Sequence, residues 1–150
     1  MDECGIKKDL IREYGRAPRC KRVEDVKRGR KFHRLNIIGG LLGGLVVAVL
    51  CYEHSTDGVF FEDWFETMFL PCVPFGVTVI LDNASFRRKK KLLLIVERAG
   101  VDLLFLPAYS SDFNRIECRW ANLKRALPDL APKCETLQEA VYTHFGECNS

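Results

Sequence analysis

Hydrophobic residues along this chain occur either as short apolar runs or at helical spacing, and the two patterns predict different elements. Residues 35–42 and 45–52 are β-rich runs on either side of a Gly-Gly pair. Such a pattern favours two strands joined by a tight hairpin turn. The continuous apolar runs 77–81 and 101–106 predict two further strands, each covered on both faces.

Apolar residues at helical spacing predict four helices, at 59–70, 87–99, 114–127 and 136–145. In the second helix we expect Leu93, Leu94 and Val96 to form the buried side. The third helix carries its apolar stripe at Ile116, Trp120, Leu123 and Leu127. Strands followed by alternating strands and helices predict an α/β domain. Its mixed sheet would combine an antiparallel hairpin with parallel strands, flanked by helices.

The composition is that of one globular domain, because 47% of the 150 residues are hydrophobic and 29% are charged. No repeat or second domain interrupts residues 1–150. The net charge is only +3, but residues 1–34 hold 12 of the 23 Lys and Arg, and 87–91 is a basic run. Both segments are candidates for contact with nucleic-acid phosphates, and a solvated basic surface is the alternative.

The seven cysteines are scattered without a Cys-x-x-Cys pair, which is typical of reduced thiols in a cytoplasmic protein.

Residues 35–51 carry no charge, and their 17-residue length is at the short limit of a membrane span. Residues 35–51 also contain the Gly-x-x-x-Gly spacing of membrane helix pairs. Their Gly and Val content and the internal Asn36 favour the hairpin of two strands, with a membrane helix as the alternative.

Two acids stand at positions where chemistry is plausible, and each also has an ordinary structural interpretation. Asp82 ends a predicted buried strand, where ligand sites of α/β sheets gather, but Asp-Asn is also a common turn. Glu117 follows Asn114 by three residues, the spacing of a capping box at a helix start. Asp112 is a candidate turn or cap residue. The residue pattern alone leaves metal ligation and local structure both open.

Several segments, taken in order, resemble the catalytic domain of DDE transposases, specifically the bacterial insertion-sequence transposases of the mariner superfamily. The spacing between Asp82 and Glu117, with 34 residues between them, belongs to the same resemblance. The matching segments are Asp2-Glu3-x-Gly5, Ala17-Pro18-Arg19-x-Lys21-Arg22, Asn36-Ile37-Ile38-Gly39, Leu81-Asp82-Asn83-Ala84-Ser85-Phe86, Leu104-Phe105-Leu106-Pro107, Tyr109-Ser110-x-Asp112-x-Asn114-x-Ile116-Glu117 and Trp120-Ala121-x-Leu123-Lys124.

The resemblance implies an RNase H-like fold in which Asp2, Asp82 and Glu117 are the catalytic acids. These acids would bind Mg²⁺ or Mn²⁺, with two ions roughly 3.5–4 Å apart. The reaction implied is cleavage of DNA at transposon ends and transfer of the cut strand to target DNA. Asn83 and Asp112 would orient the acids. The expected DNA-binding residues are Arg19, Lys21 and Arg22 from the family pattern, and Arg87, Arg88 and Lys89 from the basic run.

The chain also departs from the family pattern. The helix-turn-helix region that normally precedes the catalytic domain is absent, and only Met1 precedes Asp2. We therefore expect a truncated first strand that holds Asp2 loosely. Arg87 stands where the family has a His, and Arg115 where it has a Pro.

These departures leave two interpretations of the chain. The first is a bacterial transposase catalytic domain that associates with the nucleoid when it acts. It would work as a homodimer or together with the other half of a transposase, encoded in an upstream reading frame. The alternative is an inactive remnant that binds DNA or a full-length transposase.

Overall fold

The structure is a computed structural model that describes residues 1–7, 34–85, 87–107 and 113–148. Its strands are β1 (Asp2–Lys7), β2 (Arg34–Leu42), β3 (Leu45–Tyr52), β4 (Thr78–Leu81) and β5 (Asp102–Phe105). Its helices are α1 (Gly58–Trp64), α2 (Lys89–Ala99), α3 (Ile116–Leu130) and α4 (Leu137–Cys148). The order of these elements confirms the predicted α/β class, with the antiparallel and the parallel strands in two sheets of three and two strands.

The first three strands form an antiparallel sheet in the order β1-β2-β3. The predicted hairpin is confirmed, and its turn is Gly43-Gly44, with φ of +58° and +93°. Glycine suits both positions because other residues rarely adopt positive φ. The run with the Gly-x-x-x-Gly spacing is therefore a pair of strands. Within the described part of the chain, no helix has the length and apolar character needed to cross a bilayer.

Strands β4 and β5 form a parallel pair, in which Thr78 lies opposite Asp102. The start of β1 lies beside β4, because the amino nitrogen of Met1 donates a 3.0 Å hydrogen bond to the Ile80 carbonyl. The expectation that β4 and β5 are covered on both faces is wrong. Ile80 and Leu104 are exposed large apolar residues, since burial alternates along both strands.

The three-stranded sheet has a hydrophobic core on each side. The core on the side of α1 and α2 includes Ile38, Phe61, Trp64, Phe65, Phe69, Val79, Leu81, Leu92 and Ile95. The core on the side of α3 and α4 includes Cys4, Ile6, Leu35, Ile37, Ile116, Trp120, Leu123, Leu127 and Val141. Two glycines of β2 allow both layers to approach the backbone. A Cβ on Gly40 would lie 2.0 Å from the Phe69 ring, and a Cβ on Gly39 would lie 3.2 Å from Trp120.

The buried stripe of α3 is confirmed at all its predicted positions, Ile116, Trp120, Leu123 and Leu127. The predicted buried side of α2 is largely wrong. Leu92, Ile95 and Val96 face the core, whereas Leu93 and Leu94 are exposed. In a run of consecutive apolar residues several helical faces are equally apolar, so the contact with the sheet selects the buried one.

Candidate functional site

Asp2 begins β1 and pairs in register with Gly39 of β2. The residue before it is anchored on both sides. The Met1 amino nitrogen donates to Ile80, and the Asn114 side-chain nitrogen donates to the Met1 carbonyl at 3.3 Å. The expectation that Asp2 is held loosely is therefore wrong for this structure, because β2, β4 and the residue preceding α3 all fix the start of the strand.

Three carboxylates meet where β1 begins and β4 ends. Asp2, Glu3 and Asp82 each offer an oxygen within 4.8 Å of the other two. Asp82 reaches this position because it directly follows β4, whose end lies beside the start of β1. The sequence analysis selected Asp2 and Asp82, and the structure brings them together.

Glu117 joins this group through Asp2. It lies in the first turn of α3, which packs on the Asp2 side of the sheet. Burial, with the negative charge of Glu117 as a smaller cause, raises the pKa of Asp2 to about 7. In its protonated form Asp2 donates a hydrogen bond to the Glu117 carboxylate. Asp2 thus lies near both other acids of the predicted triad, although Glu117 is not within the 4.8 Å group.

Glu3 is an additional acid that the sequence analysis did not select for chemistry. Side chains alternate along a strand, so the pattern places Glu3 on the face opposite Asp2. The structure nevertheless brings one Glu3 oxygen into the cluster. Burial also raises the pKa of Glu3, and the nearby guanidinium of Arg87 partly offsets that rise.

Arg87 supplies a buried positive charge to the cluster. Its Nη2 donates to both carboxylate oxygens of Glu3 at 2.9 Å and 3.1 Å, and its Nη1 forms an ion pair with Asp82 Oδ1. The guanidinium also lies over the Phe61 ring, 4.4 Å from its centroid. Its side chain is 0% exposed, so in this arrangement Arg87 presents its charge to the acids and not to solvent, and contact with DNA stays a prediction.

The other predicted DNA-binding residues are placed differently. Arg88 is half exposed and pairs with the buried carboxylate of Glu62. Lys89 is exposed, with its ammonium 5.0 Å from the Phe105 ring centroid. The run thus presents Lys89 to solvent, whereas Arg87, Arg88 and Lys91 form ion pairs with acids. The predicted residues Arg19, Lys21, Arg22 and Asp112 lie outside the described residues.

Two asparagines near the site differ from their predicted roles. Asn83 is exposed, and the described hydrogen bonds of the acids do not include its side chain. Asn114 does not cap α3 through its side chain, because that amide is buried and donates to Met1 instead. A capping motif in the sequence had suggested a local role for Asn114, whereas its partner lies 113 residues away.

The donor set fits a divalent cation. Carboxylate oxygens are the ligands that hard cations such as Mg²⁺ prefer, and three of them converge here. Asp82 Oδ1 is buried and, within the described structure, accepts no hydrogen bond, although Arg87 contacts it as an ion pair. The charge of this oxygen is thus met by the Arg87 guanidinium, and the oxygens of the cluster outside that ion pair are the ones open to a metal ion.

An α/β domain that gathers carboxylates where β1 begins and β4 ends is able to hold metal ions at these strand ends. The chain also matches the sequence model of the DDE superfamily endonucleases over residues 1–138. It therefore belongs to that family, whose domains are RNase H-like, act on DNA and generally use divalent metals. A search of curated proteins finds no match.

Proposed function

We propose that this chain is the catalytic domain of a transposase of the bacterial insertion-sequence type in the mariner superfamily. Its reaction would be divalent-metal-dependent cleavage of DNA at transposon ends, followed by transfer of the cut strand to target DNA. The observation that carries the proposal is the position of Asp2, which has an oxygen within 4.8 Å of one of Asp82 and interacts with Glu117. The partners would be DNA and a second transposase chain.

In this mechanism Asp2, Asp82 and Glu117 hold Mg²⁺ or Mn²⁺. A bound divalent ion polarises the scissile phosphate and lowers the pKa of water. The protein must first present charged ligands, and the raised pKa of Asp2 leaves it partly protonated near neutral pH. Release of the Asp2 proton breaks its hydrogen bond to Glu117 and frees both carboxylates to bind a cation. Lys89, exposed at the start of α2, would contact DNA phosphates.

A nicking assay on supercoiled plasmid tests the proposal. We expect nicking with Mn²⁺ or Mg²⁺ and none with EDTA, and we expect Asp82→Ala and Glu117→Ala each to abolish it. The matched control is Asp102→Ala, which removes an exposed acid at the start of β5, away from the cluster. If the chain does not nick DNA, or if Asp82→Ala nicks as well as the wild type, the enzyme proposal fails.

A second candidate function is binding without catalysis, to DNA or to a full-length transposase. The ion pair between Arg87 and Asp82 favours this candidate, because it already engages one oxygen of a catalytic acid. It predicts retention of DNA in a gel-shift assay with no nicking at any Mn²⁺ concentration. Nicking that requires both Asp82 and Glu117 would rule it out.

A further inference from the structure

The guanidinium of Arg87 is the cation that the structure itself places in the acidic cluster. We propose that Arg87 takes the place of one divalent ion at the Glu3 side of Asp82, so that this chain binds one catalytic ion rather than two. That ion would be held by Asp2, Glu117 and the second carboxylate oxygen of Asp82. The inference rests on the proposed function, because it concerns the metals of that same site.

The contacts of Arg87 are those of a fixed charge. One nitrogen spans both oxygens of Glu3, and another reaches Asp82 Oδ1 and, at 3.4 Å, the Asp82 carbonyl. Arginine binds carboxylates through a planar fork, and such charge-assisted bonds are stronger than neutral ones. The guanidinium therefore occupies the space between Glu3 and Asp82 that a shared metal ion would need.

Burial keeps Arg87 in that position. The side chain is 0% exposed, and one face of the guanidinium lies against the Phe61 ring of α1. Phe61 itself is a buried member of the core between the sheet and α1. To leave the cluster, the guanidinium would have to cross this core or expose both acids. A divalent ion bound beside it would also be repelled by its charge.

On the side of Asp2 that faces Glu117, the neighbouring side chains are acids. The neighbouring side chains that act most on Asp2 are the acids Glu117 and Glu3, and Glu117 shares a hydrogen bond with it. Two carboxylates in contact cannot both ionise easily without a cation between them. The ion pairs that fix Arg87 are with Glu3 and Asp82, so the Asp2–Glu117 side is where a divalent ion would bind.

The number of bound ions tests the inference directly. MnCl₂ is titrated into the whole chain by calorimetry, and free Mn²⁺ is counted in parallel by electron paramagnetic resonance. We expect one ion per chain for the wild type. Arg87→Met removes the charge but keeps an apolar chain against Phe61, and it should bind two. Arg87→Lys keeps a charge and should bind one, as should Lys89→Met, the matched control at an exposed cation of the same run.

A second variant keeps the test decisive if Arg87→Met does not fold. Glu3→Gln should bind one ion with an affinity within about threefold of wild type, because Glu3 is a partner of Arg87 rather than of the metal. Glu117→Gln should weaken binding at least about tenfold. A role for Arg87 in stability alone would change melting temperatures without changing the number of ions.

The possible failures are distinguishable. Two ions bound to the wild type, one ion bound to folded Arg87→Met, or loss of the ion in Glu3→Gln would each overturn the inference. The proposed function would survive all three results. If neither the wild type nor any variant binds Mn²⁺, the proposed function itself fails, and the inference fails with it.

Discussion

Two clusters in this molecule bury carboxylates, and their charges are balanced in opposite ways. Glu62 of α1 is 3% exposed, and it accepts hydrogen bonds from Arg88 at 2.6 Å and 2.5 Å while Lys91 lies 2.7 Å away. Asp2 is partly buried against other acids. Burial alone would raise the pKa of Glu62, but its two basic partners outweigh that effect and lower it. The pKa of Asp2 is raised by both its burial and its neighbours.

The opposite pKa shifts distinguish Glu62, which stabilises the fold, from Asp2, which is suited to binding a ligand. The charge of Glu62 is neutralised within the protein, and its ion pairs link α1 to the start of α2. Asp2 interacts with the Met1 amino group and with the acids Glu3 and Glu117, and its pKa is nevertheless raised, so its ionised form is disfavoured in the absence of a further cation. Strongly perturbed pKa values occur at functional sites and in structural ion pairs alike, and the sign of the shift distinguishes the two clusters here.

The largest expected difference between the clusters is in DNA nicking. Asp2→Asn should lower the Mn²⁺-dependent rate at least about 100-fold, because changes to groups that only support metal ligands already cost 10–100-fold. Glu62→Gln should leave the rate per folded molecule unchanged. Initial rates of plasmid nicking, scaled by the folded fraction from circular dichroism, provide the measurement. Equal losses in both variants would show that the clusters do not differ in function.

Stability without metal should change in opposite directions. At pH 8 in EDTA, Asp2→Asn should be more stable than wild type by on the order of 2–4 kcal/mol, since the amide removes a charge that folding disfavours. Glu62→Gln should be less stable, because Arg88 and Lys91 lose their charged partner. Urea unfolding of both variants measures the two free energies. Destabilisation by Asp2→Asn would contradict the interpretation of Asp2 as an uncompensated acid.

The pH dependence of stability should differ between the clusters in the same way. The pKa of Asp2 rises from 3.8 to about 7 on folding, so its contribution is present at acidic pH and lost as pH rises through about 7. The pKa of Glu62 falls below 4.5, so its contribution is present above pH 4.5 and lost on acidification. Melting temperatures from pH 3 to pH 8, in EDTA, report both.

The variants assign these two pH ranges. Asp2→Asn should reduce the loss of stability between about pH 4 and pH 7. Part of that loss should persist, because burial also raises the pKa of Glu3. Glu62→Gln should instead reduce the loss below pH 4.5. Saturating Mn²⁺ should flatten the wild-type curve at high pH only. A curve that Asp2→Asn leaves unchanged would place the titrating group elsewhere.

Local patterns predicted the elements well and marked Asp82 as a candidate with a turn as the alternative, whereas Asp2 was selected only through the resemblance to a family. The hairpin turn and the stripe of α3 depend on residues close in sequence, and both are confirmed. Asp82 could be identified as a candidate ligand because the end of a predicted strand is visible in the local sequence. The buried face of α2 could not be selected locally, since its apolar residues are consecutive and the sheet determines which of them are covered.

The partners of the acids depend on distant parts of the chain. Arg87 lies in a basic run whose other members are exposed, and its burial requires Glu3, 84 residues away, and the ring of Phe61. Glu3 was missed for a similar reason, since strand alternation alone points it away from Asp2. Which acids acquire an internal cation is therefore a tertiary property, and that property distinguishes the two clusters.

The smallest expected effect belongs to an exposed ion pair that serves as a reference for both clusters. Arg98 and Glu66 lie 3.2 Å apart and connect α2 to the helical segment that follows α1. Unlike Glu62, both side chains are largely exposed, at 69% for Arg98 and 50% for Glu66. Solvent screens such pairs, so Arg98→Met should change the free energy of unfolding by less than about 1 kcal/mol. Urea unfolding at low and high salt measures this change. A larger loss would mean that these helices depend on surface charge, and the contrast between Glu62 and Asp2 could then not be ascribed to burial.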